Sequence, residues 1–153
     1  MNRFITFLIA TSFGVSAFAY DPTQAKELEK FYAHMTQEAF AKSKLNIEAD
    51  EVMQMVRENK DFVLLDIRTE GEMSVVALQT PNAIEVPLNK LFETKNLDKL
   101  PTNKPIVVVC HSGSRALLAS IELKKIGFKN IRLLKGGLAA LSVADNVKNA
   151  PLK

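Results

Sequence analysis

From Lys44 onward the chain alternates short, uninterrupted apolar runs with longer segments in which apolar residues recur every three or four positions. "KLNI" predicts a short strand, and "EADEVMQMVRENK" predicts a helix with Val52, Met53 and Val56 on one face, ending near Asn59. "FVLLDI", from Phe62 to Ile67, is a continuous apolar run that ends in charge, the pattern of a central strand in a parallel sheet. "AIEVPL" predicts another strand, stopped by Pro87, and "PIVVVC" is the most β-like run in the chain. "RALLASIELKKIGF" reads as a helix with Leu117, Leu118, Ile121 and Ile126 as its apolar positions, Lys124 and Lys125 in its last turn, and Gly127 closing it. "NIRLL" supplies a last strand and "GGLAALSVADNVK" a last helix. Strands alternating with helices predict an α/β domain: a mostly parallel central sheet flanked by helices.

The first residues follow a different pattern. Met1 to Arg3 is a short basic start, Phe4 to Val15 is almost uncharged and apolar, and Ala17 and Ala19 are small residues where a signal peptidase cuts. This predicts a secretory signal peptide cleaved after Ala19, and hence a periplasmic or secreted protein. A membrane anchor is the competing reading, but the apolar run is shorter than the roughly 20 residues needed to cross a bilayer, so no stable anchor is expected after cleavage. Asp21-Pro22 then opens a helix, with Leu28, Phe31, Tyr32, Met35 and Ala39 at helical spacing as far as about Lys42. Its stripe is expected to pack on the main domain or on a second subunit, which makes a homodimer one expectation. The organisation read from the sequence is thus a leader over 1–19, an amphipathic helix within 20–43, the α/β domain over 44–148 and a tail over 149–153.

Charge and composition narrow the function. The formal net charge is only +3, and the lysines are interleaved with acids along helical stretches, so no nucleic-acid-binding face is expected. His34 has no second ligand at metal-binding spacing, and the five methionines fall at helical or leader positions, so no metal site is expected. One cysteine, Cys110, is present in a chain that reads as exported. It is either a reactive thiol, an intermolecular partner or a buried small hydrophobe.

Its neighbours bear on that choice. Cys110 ends the strand "PIVVVC", where ligands of open α/β sheets bind, and "HSGS" must turn the chain into a helix within a few residues, with Gly113 tolerating a positive φ. Such a turn aims successive backbone N–H groups inward, and the helix end adds its positive dipole. With Arg115 nearby and Ser112 and Ser114 as hydroxyl donors, Cys110 is expected to ionise below the free value of about 8.5. A plain strand-to-helix turn would need the glycine, but not the cysteine, two hydroxyls and arginine together.

"CHSGSR" resembles the active-site loop of the rhodanese family of sulfurtransferases. "LLDIRTEGE" is similar to that family's D-x-R followed by a glutamate, here Asp66, Arg68 and Glu72; "NAIEVPL" is similar to its A-x-N-I-P strand; and "GFKNIRLLKGGLAAL" is similar to its glycine-rich closing signature. The resemblance runs from about Lys44 to Leu141 with the pieces in family order. A weaker likeness is to exported single-domain members that handle polysulfide. The resemblance implies a three-layer rhodanese-like fold with an added N-terminal helix.

It also implies the chemistry. Cys110 would take a sulfane sulfur from thiosulfate or polysulfide, hold it as a persulfide with no other cofactor, and pass it to a thiophilic acceptor such as cyanide, sulfite or a thiol, including a protein thiol. The loop from His111 through Ser112, Gly113 and Ser114 to Arg115 would bind the substrate, and its six-residue length matches sulfurtransferases rather than dual-specificity phosphatases, whose loop is one residue longer. Asp66, Arg68 and Glu72 would form one supporting network. Arg115 would either pair with an anionic donor or clamp the loop's carbonyls, and His111 would either shuttle a proton or face solvent. The chain departs from the family at "SVVALQTPNA", where Val76-Ala77 replaces a common Gly-His pair, and at Leu141, where an aromatic residue is frequent. Two rivals from other classes remain at this point: a non-catalytic module that uses the fold to hold an anion or a partner, and a thiol redox protein lacking the second cysteine of a C-x-x-C pair.

Overall fold

The computed structural model describes residues 19–146, so the expected leader (apart from Ala19) and the tail lie outside the described residues. The chain divides into two compact units, one up to Thr36 and one from Gln37 onward. In the first unit, α1 spans Pro22–Tyr32. Asp21 caps it by accepting from the amides of Thr23 at 2.8 Å and Gln24 at 3.2 Å, with Pro22 in the first turn, where a missing N–H costs nothing. The rings of Phe31 and Tyr32 meet edge to face with centroids 5.0 Å apart.

The helix does not continue to Lys42 as the stripe predicts. The Met35 amide bonds to the Tyr32 carbonyl at 2.9 Å, a tighter closure than the helical one, and a separate helix, α2 (Gln37–Lys42), starts in the second unit. Periodicity alone does not register this break, because Met35 and Ala39 continue the stripe across it.

The second unit is built on five strands: β1 (Asn46–Ile47), β2 (Val63–Asp66), β3 (Ala83–Glu85), β4 (Ile106–Val109) and β5 (Ile131–Leu134). They lie in the order β1-β5-β4-β2-β3, and every pairing is parallel. β2 and β4 are fully buried along their length, which is why they read as unbroken apolar runs. Alternate side chains go to opposite faces. Val63, Leu65, Ile106, Val108 and Cys110 join one core cluster, while Leu64, Val107 and Val109 join the other. The first cluster includes Ala116, Ala119 and Leu123 of α7 (Ser114–Lys125), and the second includes Val52 of α3 (Ala49–Arg57) and Leu141 of α8 (Gly137–Ala144). The result is the three-layer α/β architecture expected from the sequence.

Three helices have no counterpart in the sequence reading: α4 (Glu70–Val75), α5 (Leu88–Leu91) and α6 (Thr94–Leu97). The inward face of α7 also differs from expectation. Its buried residues are Ala116, Ala119, Ser120 and Leu123, whereas Leu117, Leu118 and Ile126 are exposed. The small residues Ala116 and Ala119, with Leu123, face the sheet in the core cluster that holds Ile106, Val108 and Cys110.

Candidate active site

The sheet delivers Cys110 to the carboxyl end of β4, the middle strand, with only 1% of its surface exposed. Gly113, at φ +101°, turns the chain into α7. The Cys110 Sγ accepts from the Gly113 amide at 3.1 Å and from the Ala116 amide at 3.4 Å. Among the described residues no hydroxyl donates to this sulfur, so the part expected of Ser112 and Ser114 is taken by backbone N–H groups. Ala116 lies one residue beyond the expected loop. His111, Ser112 and Ser114 are exposed, Gly113 is buried and Arg115 is partly buried.

The carbonyls of the loop are used as well. The amides of Leu138 and Ala139, at the start of α8, donate to the carbonyls of Cys110 at 2.8 Å and His111 at 3.1 Å. This contact explains the second glycine of "KGG": a Cβ at Gly137 would stand 2.4 Å from the Cys110 oxygen. Two short turns, one after β4 and one after β5, therefore lock together, and the amides around Sγ are held inward.

Arg115 does not clamp the loop's carbonyls. Its guanidinium forms a bidentate pair with the Glu72 carboxylate at 2.8 and 2.6 Å, and each side chain is about one-third exposed. Glu72 is fixed from its other side by a reciprocal cap: it accepts from the Thr69 amide at 2.9 Å, while its own amide donates to the Thr69 hydroxyl oxygen at 3.2 Å. Arg115, and after it the Thr69 amide, holds the Glu72 carboxyl well below the ordinary carboxylate range. Glu72 in turn raises the pKa of Arg115, with a smaller contribution from the Cys110 sulfur.

The expected single network of Asp66, Arg68 and Glu72 is two separate units. Asp66 and Arg68 are both buried and pair with each other, Nη2 to Oδ2 at 2.7 Å, while the Asp66 carboxylate also takes the Arg68 amide at 3.0 Å. The second function of Arg68 is to donate from Nη2 to the Val76 carbonyl at 2.7 Å. It thereby anchors the segment after α4, where the chain departs from the family pattern.

That segment forms one wall of a groove of about 860 Å³, the size of a small-molecule site. Val75, Val76 and Leu78 face Leu138 and Leu141 of α8, and His111 stands beside them. Among the described residues no cluster of His, Cys, Asp or Glu could hold a metal ion, and no helix is long and apolar enough to cross a membrane.

Residues 48–144 match the family described as Rhodanese-like domain, and the chain belongs to that family. Over 87 residues it is 37% identical to the Adenylyltransferase and sulfurtransferase UBA4 of Meyerozyma guilliermondii, covering 53% of this chain and 20% of that protein. A Sulfurtransferase of Allochromatium vinosum is 27% identical over 94 residues, covering 61% of this chain and 84% of that one. Among solved structures, a NAD-dependent persulfide reductase from A. fulgidus is 31% identical with a TM-score of 0.52, covering 79% of this chain and 19% of that chain. The chain spans about one fifth of the length of the UBA4 relative.

Proposed function

We propose that this protein is a sulfurtransferase that moves sulfane sulfur from thiosulfate or polysulfide to a thiophilic acceptor through a persulfide on Cys110. The observation that carries the reading is the position of Sγ, at the end of the central strand with two backbone amides directed at it. Similarity to proteins named as sulfurtransferases supports the same chemistry.

In the first half-reaction the Cys110 thiolate attacks the outer sulfur of the donor. A new S–S bond forms, the donor's S–S bond breaks, and its electron pair leaves on sulfite or on a shortened polysulfide. The persulfide anion then lies among N–H donors already held in place, which is how fixed dipoles stabilise charge without reorganising. In the second half-reaction the acceptor attacks the outer sulfur, and the electron pair returns to Sγ. The amides of Gly113 and Ala116 serve both steps, and Arg115 contributes a positive field beside the loop. The leader-like pattern of residues 1–19, a basic start, an apolar run and small residues at 17 and 19, supports placing this activity outside the cytoplasm.

Intact-mass measurement tests the proposal. Incubation with thiosulfate or polysulfide is expected to add one sulfur at Cys110, and cyanide is expected to remove it as thiocyanate. Cys110→Ser should abolish both changes while the fold persists. Turnover retained in that variant would overturn the mechanism, and no adduct on a demonstrably free thiol would favour a non-catalytic binding module.

A further inference from the structure

The groove beside the loop says which donors the site favours, an inference that rests on the sulfurtransferase reading. Once the outer sulfur of a donor reaches Sγ, the rest of the donor must lie next to the loop, where the groove is. Its walls there are mainly apolar, and Val75 and Val76 at its rim are 82% and 52% exposed.

The charges facing the groove decide against an anionic tail. Arg68 is buried and bound to Asp66, and Glu72 lines the groove with its carboxylate bound to Arg115. The remaining charged wall residue is Asp145, a carboxylate with no ion pair among the described residues. A sulfonate placed here would have to displace Glu72 from Arg115 or sit uncompensated near Asp145, and either costs free energy. An apolar substituent loses nothing in entering and removes Val75, Val76 and the partly buried Leu138 from water.

We infer that this groove takes the apolar substituent of an organic sulfane donor, such as an alkyl or aryl persulfide or thiosulfonate, in preference to the second charged end of thiosulfate. With a thiosulfonate, the Cys110 thiolate attacks the terminal sulfur and forms the persulfide S–S bond. The bond to the sulfonyl sulfur breaks, its electron pair leaves on the sulfinate, and no added oxidant or reductant is needed.

The experiment follows Cys110 loading by intact mass with benzenethiosulfonate, methanethiosulfonate and thiosulfate, each rate being divided by that of the same donor with free cysteine. The normalised benzene-to-methane ratio is expected to be about tenfold, the scale on which apolar pockets discriminate, with thiosulfate the slowest. Val75→Asp should bring that ratio towards one; position 75 is so exposed that the melting temperature should not move, and thermal melting checks this. A ratio near one in the unaltered protein, or thiosulfate as the fastest donor, overturns the inference and leaves sulfur transfer standing. If no donor loads Cys110, both the inference and the function fail.

Discussion

Two carboxylate–arginine pairs flank the Cys110 loop, and they differ in setting. Asp66 and Arg68 are two residues apart and both are buried, whereas Glu72 and Arg115 are 43 residues apart and each about one-third exposed. In the buried pair neither charge can return to water if its partner is lost, so the pair is a structural commitment. In the half-exposed pair solvent screens both members, and little stability depends on it. What the second pair controls is direction: it turns the guanidinium at the edge of the loop towards a carboxylate of the same protein. One pair holds the shape of the groove, and the other sets its charge.

Substitutions that treat the pairs differently test this contrast. The largest effect is expected from Asp66→Ala, which leaves the Arg68 guanidinium buried without its carboxylate and should cost about 3–5 kcal/mol in denaturant unfolding. A loss below about 1 kcal/mol would make the two pairs equivalent. Gly137→Ala comes next: its Cβ would meet the Cys110 carbonyl, so about 1–3 kcal/mol should be lost, together with much of the sulfur loading measured by mass. Glu72→Gln should cost about 1 kcal/mol or less in the same unfolding assay, yet speed the loading of thiosulfate, because Arg115 is freed from its carboxylate. Unchanged donor preference in that variant would show that the pair does not set the groove's charge.

The smallest effect is one of pH. The folded-state pKa of Glu72 is depressed, so the stability it contributes is fully present above the unfolded carboxylate value of about 4.3 and is lost as pH falls below that towards the folded value. Urea unfolding of the unaltered protein and of Glu72→Gln should therefore differ at neutral pH and converge on acidification. A gap that stays constant would show that the ionised Glu72 carboxylate does not stabilise the fold, through either Arg115 or Thr69.

Much of this architecture was legible because its signals are local. Buried parallel strands must be continuously apolar, so "FVLLDI" and "PIVVVC" announced β2 and β4, and the loop after Cys110 carries its glycine and arginine in one short stretch. Less was legible where the structure depends on contacts distant in sequence. One motif holds Asp66, Arg68 and Glu72 together in the sequence, yet the partner of Glu72 comes from the first turn of α7. The Ala116 amide has no side-chain signature at all. Helices α5 and α6 are four residues each, too short to show a period. For α4 the sequence does carry a signal: "TEGE" is a capping box, with Thr69 and Glu72 three residues apart, and the same residues also fall within the family motif, which masks the helix start.

The bond from Arg68 to Val76 ends on a main-chain oxygen, and that has a consequence for how this protein could change over generations. An anchor that grips the backbone is indifferent to the side chain attached there, so positions 75 and 76 can be exchanged without touching the scaffold. Selection, or a protein engineer, can then retune the choice of sulfur compound at the rim while the cradle around Cys110 is inherited intact.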